Sequence, residues 1–289
     1  PAQKREGSAM TVVKTNKAGE PLVKIERPAK DVARIVLNRA DKRNAQNFAM
    51  LYQLDEAFST CARDETVTVI ILAADGPDFS SGHDLGQRDV LPSDFDVLGN
   101  WAEFTAPGDE GRYAIEKEVY LDLTERWRNV PKPTIAQVQG RCISGGLMLV
   151  MACDLVVAAD NAAFCDNTID LGVCGTEFFN HPYDFGIRKA KELLFTAGWL
   201  SAQEAAATGF VNRVVPLAEL EASTLNMASV IAAKPRFALK MAKEAINAAH
   251  DAMGRPQAMS TIFALHQLCH SHNMQVYGMP VSTFEIKKP

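Results

Sequence analysis

Two short glycine-containing segments hold the residues whose types and spacing suit chemistry. One is Ser144-Gly145-Gly146, at the head of an apolar block spanning 147–152, and the other is Phe79-Ser80-Ser81-Gly82-His83-Asp84-Leu85. Gly145 and Gly146 lack a Cβ, so a ligand atom can come close to their backbone. They stand where a helix should begin, and the first amides of a helix have no internal acceptor and lie at the positive end of its dipole. Such amides suit negative charge developing on an oxygen. Glycines at a strand-to-helix junction also occur for close packing alone, so it is the second segment that shifts the balance.

The elements that must position these residues can be read from periodicity. Residues 134–139 form a short β-type segment between Pro133 and Gly140. A turn over 140–144 leads to a helix, and an apolar Val/Ala run over 155–159 reads as a buried parallel strand returning beside the first. Residues 67–73 form another strand, running into Asp75-Gly76-Pro77 and the His83 segment. Upstream, 22–26 and 32–37 are strands joined by a turn through 28–31, and 46–62 has helical spacing at Met50, Leu51, Leu54, Ala57, Phe58 and Cys61. The chain is therefore α/β, with a ββα module repeated in kind. In the link 86–130, the first half is expected to be a mobile loop over the site, and Ile115, Val119, Leu123 and Trp127 in the second half mark a helical stripe. Beyond Gly172, helical patterns cover 185–194, 201–208, 217–233, 236–250 and 256–270, with a short strand at 210–215. The expected division is a poorly ordered segment 1–20, a core 21–200 and a helical region 201–289.

From about Ile35 to Val215 the chain resembles the crotonase superfamily, which includes enoyl-CoA hydratases and isomerases. The resemblance rests on Leu37-Asn38-Arg39 with Asn44-Ala45, the Phe79–Leu85 segment, Pro131-Lys132-Pro133-Thr134-Ile135-Ala136, Gly140, Ser144-Gly145-Gly146, Cys153-Asp154-Leu155, and Phe164 through Leu171-Gly172. Each piece is weak alone, and the order and spacing make the set specific. The resemblance implies a spiral of repeated ββα units with a C-terminal helical trimerisation region, assembled as a homotrimer or hexamer. It implies an acyl-CoA thioester as substrate, with coenzyme A as part of that substrate and no tightly bound cofactor. It further implies an oxyanion hole made by the backbone amides of His83 and Gly145. The Ser81, Asp84 and Leu85 turn matches where relatives hold coenzyme A, and Lys42 and Arg43 in the preceding loop could meet its phosphates.

One departure bears on mechanism. The two glutamates with which hydratases of this family add water are replaced by Met148 and Thr168. Each positioned acid or base contributes about 10²- to 10⁴-fold, so losing two would raise the barrier by about 5–11 kcal/mol if the losses added. From position alone, Glu177 is the leading substitute base and Asp170 the second, although an acidic residue in a first helical turn also simply suits the dipole. The His83 imidazole could carry a proton, but a lone loop histidine is more often passive. The expectation is an enoyl-CoA hydratase/isomerase-like enzyme with a substituted acid/base set, and a single base suits a double-bond shift better than hydration. The alternative is a catalytically silent acyl-CoA binding protein or assembly partner.

Other constellations do not carry a function. Ser144 lacks a nucleophile elbow, because Cys142 stands where G-x-S-x-G needs glycine. Ser81, His83 and Asp84 are too close in sequence to converge as a triad. His266, Cys269, His270 and His272 have metal-like spacing, but the expectation is a histidine-bearing helix tail and no metal. Composition sets the remaining bounds. With 289 residues, 22% charged and a formal net charge of −5, the chain does not suit nucleic acid. No apolar run reaches the roughly 18 residues of a membrane span. Its six scattered cysteines suit a reducing, cytoplasmic setting.

Overall fold

Runs of aliphatic and β-branched residues form the strands around which the chain winds in the computed structural model, which describes residues 14–86 and 90–281. Strands β1 (Val23–Ala29) and β2 (Val32–Leu37) pair antiparallel, with Val23 opposite Leu37. Their turn is tighter than the expected 28–31 because β1 continues through Pro28, which an edge strand tolerates. Helix α1 (Phe48–Arg63) is capped by Asn47, whose side chain accepts from Met50 N, and buries Met50, Leu51, Leu54, Ala57, Phe58 and Cys61 as the spacing predicts. Next come β3 (Val69–Ala74), α2 (Asp109–Glu116), a π-helical stretch Lys117–Asp122, α3 (Leu123–Arg128), β4 (Thr134–Val138) and β5 (Arg141–Ile143). Helix α4 (Gly145–Met151), β6 (Leu155–Ala159) and β7 (Ala163–Cys165) complete the second winding.

Strands β1-β2-β3-β4-β6 form, with β9 (Arg213–Val215), a six-stranded sheet that is parallel from β2 onward. A smaller sheet joins β5 and β7 to β8 (Trp199–Ser201). That second sheet is absent from the sequence reading, which takes 140–144 as a turn, because three-residue strands leave no periodic signal. The centre of the large sheet is buried on both faces, which is why β3 reads as an unbroken apolar run. Ile35, Ile70, Leu72, Ala136 and Val138 face α1 and α4 inside the spiral. Val36, Ile71, Ile135 and Val157 face helix α8 (Leu220–Ala232) through Leu220 and Ala228.

Helices α5 (His181–Phe185), α6 (Ile187–Thr196) and α7 (Ala202–Thr208) surround the small sheet, and Ser201 with Glu204 forms the capping box that opens α7. Helices α9 (Arg236–Ala252) and α10 (Arg255–Tyr277) end the described chain. The α/β spiral and the helical C-terminal region are as expected. Of the stretch 1–20, residues 1–13 lie outside the described residues, while 14–20 form a turn in which Asn16 N donates to Glu20 O at 2.8 Å. Trp127 is core, stacked on Phe58 with its indole N–H on Asp55 Oδ1 at 3.1 Å. Among the described residues no helix is long and apolar enough to cross a membrane.

Candidate active site

The Phe79–Leu85 turn and the head of α4 meet through a short ladder of backbone bonds. Phe79 N donates to Arg141 O at 3.0 Å and Ile143 N donates to Ser80 O at 3.0 Å, so the turn runs beside β5 into Ser144 and Gly145. On its other side, Gln46 N donates to Gly82 O and Asp84 N to Gln46 O, each at 2.8 Å. Gly82 has φ +88°, and a Cβ there would sit 3.0 Å from Ile143 O and 3.4 Å from Gly145 N. The glycine of Phe-x-x-Gly thus lets two distant segments touch. His83 and Gly145 become neighbours, since a Cβ on Gly145 would lie 2.7 Å from His83 Nδ1. Among the described residues, neither the His83 nor the Gly145 backbone N–H has a hydrogen-bond acceptor.

The imidazole of His83 is held from two sides. It stacks on Tyr120 with ring centroids 3.8 Å apart, and its Nε2 lies 3.3 Å from Glu177 Oε2. Its Nδ1 is buried without a partner among the described residues. Glu177 is 5% exposed and its other oxygen lies 3.4 Å from His266 Nε2. Burial alone would raise the Glu177 carboxyl, but the positive charge of His83 and His266 brings it well below the usual range, to about 2. Burial lowers the His266 imidazole, and the facing Glu177 and Glu116 more than reverse this, raising it to about 9. Glu177 lies in the irregular stretch before α5, which starts at His181, so the expected first-turn position does not hold and the helix dipole does not account for this buried carboxylate.

The loop that carries Glu177 is fixed by buried polar groups. Asp166, wholly buried, accepts from Thr168 Oγ1 at 2.7 Å and Thr176 N at 3.2 Å, and its Oδ2 lies 2.9 Å from His181 Nε2. Gly175 O meets His266 Nδ1 at 2.8 Å, and Arg255 donates to Asn180 Oδ1 at 2.9 Å while lying over the Phe178 ring. Helix α10 is the platform for this loop, so part of the C-terminal region packs on its own spiral.

The remaining sequence-derived candidates fall in three places. Met148 is buried in α4, and the Thr168 hydroxyl is spent on Asp166. Asp170 is exposed on the turn Thr168–Leu171. Lys42 and Arg43 are exposed beside the 79–85 turn, where Ser81 N donates to Arg43 O at 2.9 Å. Leu85 is exposed at 55%, and Asp84 pairs with Arg39 at 2.6 Å and not with His83. Ser144 Oγ bonds Asn167 Oδ1 at 2.9 Å. A surface cleft of about 850 Å³ lined by Tyr52, Asp55, Phe95 and Arg126 includes none of these groups.

Sequence reasoning missed Glu116 and Tyr120 and gave His266 no role. The π-helical stretch that presents Tyr120 leaves no signature in periodicity, whereas the four-residue spacing of His266 and His270 was visible and set aside.

Comparison with known proteins gives the family. Residues 27–285 match the family model described as enoyl-CoA hydratase/isomerase. The chain is 43% identical over 257 residues to EchA13 of Mycobacterium tuberculosis, covering 87% of this chain and 81% of that one. A crystal structure from Mycobacterium smegmatis superposes with a TM-score of 0.81 at 44% identity, covering 90% and 98% of the two chains. One of an enoyl-CoA hydratase/isomerase from Xanthobacter autotrophicus Py2 gives 0.76 at 29% identity, covering 86% and 87%.

Proposed function

The chain belongs to the enoyl-CoA hydratase/isomerase family, whose members act on acyl-CoA thioesters, and on that premise we propose that it shifts a proton on such a thioester through an enolate. What supports this reading is the packing of the His83 turn on the head of α4, where a Cβ on Gly82 would lie 3.4 Å from Gly145 N and one on Gly145 would lie 2.7 Å from His83 Nδ1, so that the two backbone N–H groups can serve one oxygen. A thioester oxygen between them would accept two hydrogen bonds, and one donor of this kind is worth about 10²- to 10³-fold in rate. The C–H bond at one carbon breaks, its electron pair passes into the enolate, and the proton moves to Glu177. Return of that proton to a different carbon moves the double bond and leaves Glu177 ionised again. His83, between Glu177 and the amides, orients the carboxylate and keeps it charged. Hydration by two glutamates has no counterpart, because Met148 and Thr168 hold those positions. Lys42, Arg43, Ser81, Asp84 and Leu85 lie along one edge of the site and would receive coenzyme A, which arrives with the substrate, so no tightly bound organic cofactor enters the scheme. The setting is a cytoplasmic one.

A second reading, a silent acyl-CoA binding protein, is favoured by one observation: a carboxylate stabilised by two imidazoles is a weak base. Solvent-deuterium exchange and double-bond migration in a panel of CoA thioesters, measured beside a binding titration, separate the two. Conversion or exchange that Glu177→Gln abolishes, with binding retained, is expected. Binding without exchange across the panel would assign the silent role.

A further inference from the structure

Behind Glu177, the structure brings together three groups that the proposed reaction does not use. His266 and His270, one helical turn apart on α10, and Glu116 at the end of α2 place one ligand atom each within 4.8 Å of one another, all buried. We propose that Glu116, His266 and His270 bind a divalent first-row transition metal ion, zinc foremost, with Glu177 Oε1 facing the same ion.

The arrangement of ring nitrogens carries the argument. His266 Nδ1 meets Gly175 O at 2.8 Å and His270 Nδ1 meets Pro280 O, so each Nδ1 must donate a proton to a carbonyl. Both Nε2 atoms are then left with lone pairs, and they face each other at 2.9 Å. Two bare lone pairs repel, so a positive centre has to lie between them: a proton on His266 in the metal-free protein, which a divalent ion would displace. Backbone carbonyls holding Nδ1 while Nε2 turns inward is how metal-binding histidines are oriented. Two histidines at i and i+4 on one helix face are likewise a recurrent zinc-binding pair.

Separations and charge agree with an ion. Bonds of about 2.0–2.1 Å in a tetrahedron set neighbouring ligand atoms about 3.4 Å apart. His266 Nε2 lies 3.4 Å from Glu116 Oε2 and 3.4 Å from Glu177 Oε1, and His270 Nε2 lies 3.4 Å from Glu116 Oε1. The 2.9 Å between the nitrogens would open by a few tenths of an ångström. Two buried carboxylates around two neutral imidazoles balance a divalent charge. Glu116 is steadied in turn, since Gln267 Nε2 donates to its Oε2 and Arg112 Nε donates to Gln267 Oε1 at 3.3 Å. His272 is exposed on α10, and the grouping includes neither it nor Cys269.

The test does not depend on turnover, so it stands apart from the enzymatic reading. Untagged full-length protein is stripped with chelator, shown by circular dichroism to remain folded, and titrated with Zn²⁺ against a chromophoric competitor. One equivalent per chain is expected. His270→Gln should abolish it, and Gln267→Leu, which spares every ligand, should weaken it about 10- to 100-fold. Co²⁺ in the wild-type protein should give the visible bands of a four-coordinate site. Folded wild-type protein that takes up less than half an equivalent, or His270→Gln protein that binds zinc as tightly as wild type, would overturn the assignment and leave a proton between the two rings.

Discussion

Gly145 and Gly146 are neighbours, yet substitutions there should fail for different reasons. A Cβ on Gly145 would meet the His83 ring at 2.6 Å and Gln46 Oε1 at 3.1 Å, side-chain atoms and not backbone. Gly145→Ala is therefore expected to cost less stability than Gly146→Ala while displacing His83 from its stack on Tyr120, lowering kcat by about 10²-fold or more. A Cβ on Gly146 would meet Ser80 O at 2.8 Å, which is backbone. Gly146→Ala should instead cost about 1–3 kcal/mol of stability, the usual range for overpacking. Thermal melts run beside turnover assays distinguish the two, and equal losses of stability would contradict the account. At this scale the His83–Gly145 pairing came from the family resemblance carried by the Phe79–Leu85 and Ser144–Gly146 segments, since the glycines alone would also suit close packing. Glu177 was found by position alone and with the wrong local structure. The meeting of Glu116 and Glu177 with His266 was not legible, because these residues come from segments about 60 to 150 residues apart, a distance that no periodicity encodes.

Among the elements, the loop from Asp166 to Asn180 depends on one buried carboxylate. Burial alone would push Asp166 up, yet its pair with His181 and its bonds from Thr168 bring it below the ordinary carboxylate value. A lowered folded-state value means that its contribution to stability is complete above about pH 4, the unfolded value, and is lost as pH falls through the folded one. Asp166→Asn should accordingly destabilise at pH 7 and flatten the acid limb of the stability curve, as read from urea midpoints between pH 3 and 7. A variant whose curve parallels wild type would remove the brace. Of the 90–111 stretch, expected to be a mobile loop, residues 109–111 open α2 and the part before them is anchored from the π-helical segment. Buried Glu118 accepts from Leu98 N at 2.9 Å and Gly99 N at 3.1 Å, and Phe95 stacks on Tyr52 with centroids 4.9 Å apart. Glu118→Ala should raise hydrogen exchange at Leu98 and Gly99 by at least about tenfold, one decade per 1.4 kcal/mol of lost anchoring, with β3 and β4 unchanged. The sequence showed charge and proline in that stretch, but not the carboxylate that holds it.

For the whole molecule, α9 is built the wrong way round for a helix on a monomer's surface. Two of its charged side chains pair with the spiral, Arg236 with Asp31 at 2.8 Å and Lys243 with Asp154 at 2.9 Å, while Phe237 and Ile246 are exposed at 74% and 68%. None of its 17 residues is buried. An amphipathic helix normally turns its apolar stripe to the core, and apolar faces of this size on soluble proteins mark contact surfaces. Phe195, Met253 and Leu268, exposed at 74%, 71% and 63%, add to the apolar surface of the helical region. Copies of the chain are the occupant we expect, assembled as the trimer or hexamer that the family resemblance implies, while α10 stays on its own spiral to hold Glu177. Light scattering behind size exclusion should give a mass three or six times 31.5 kDa. The double variant Phe237→Glu, Ile246→Glu should drop to a single chain while keeping its far-ultraviolet circular dichroism, because both side chains lie outside the packed core. A monodisperse single chain for the wild type at micromolar concentration would refute the assembly.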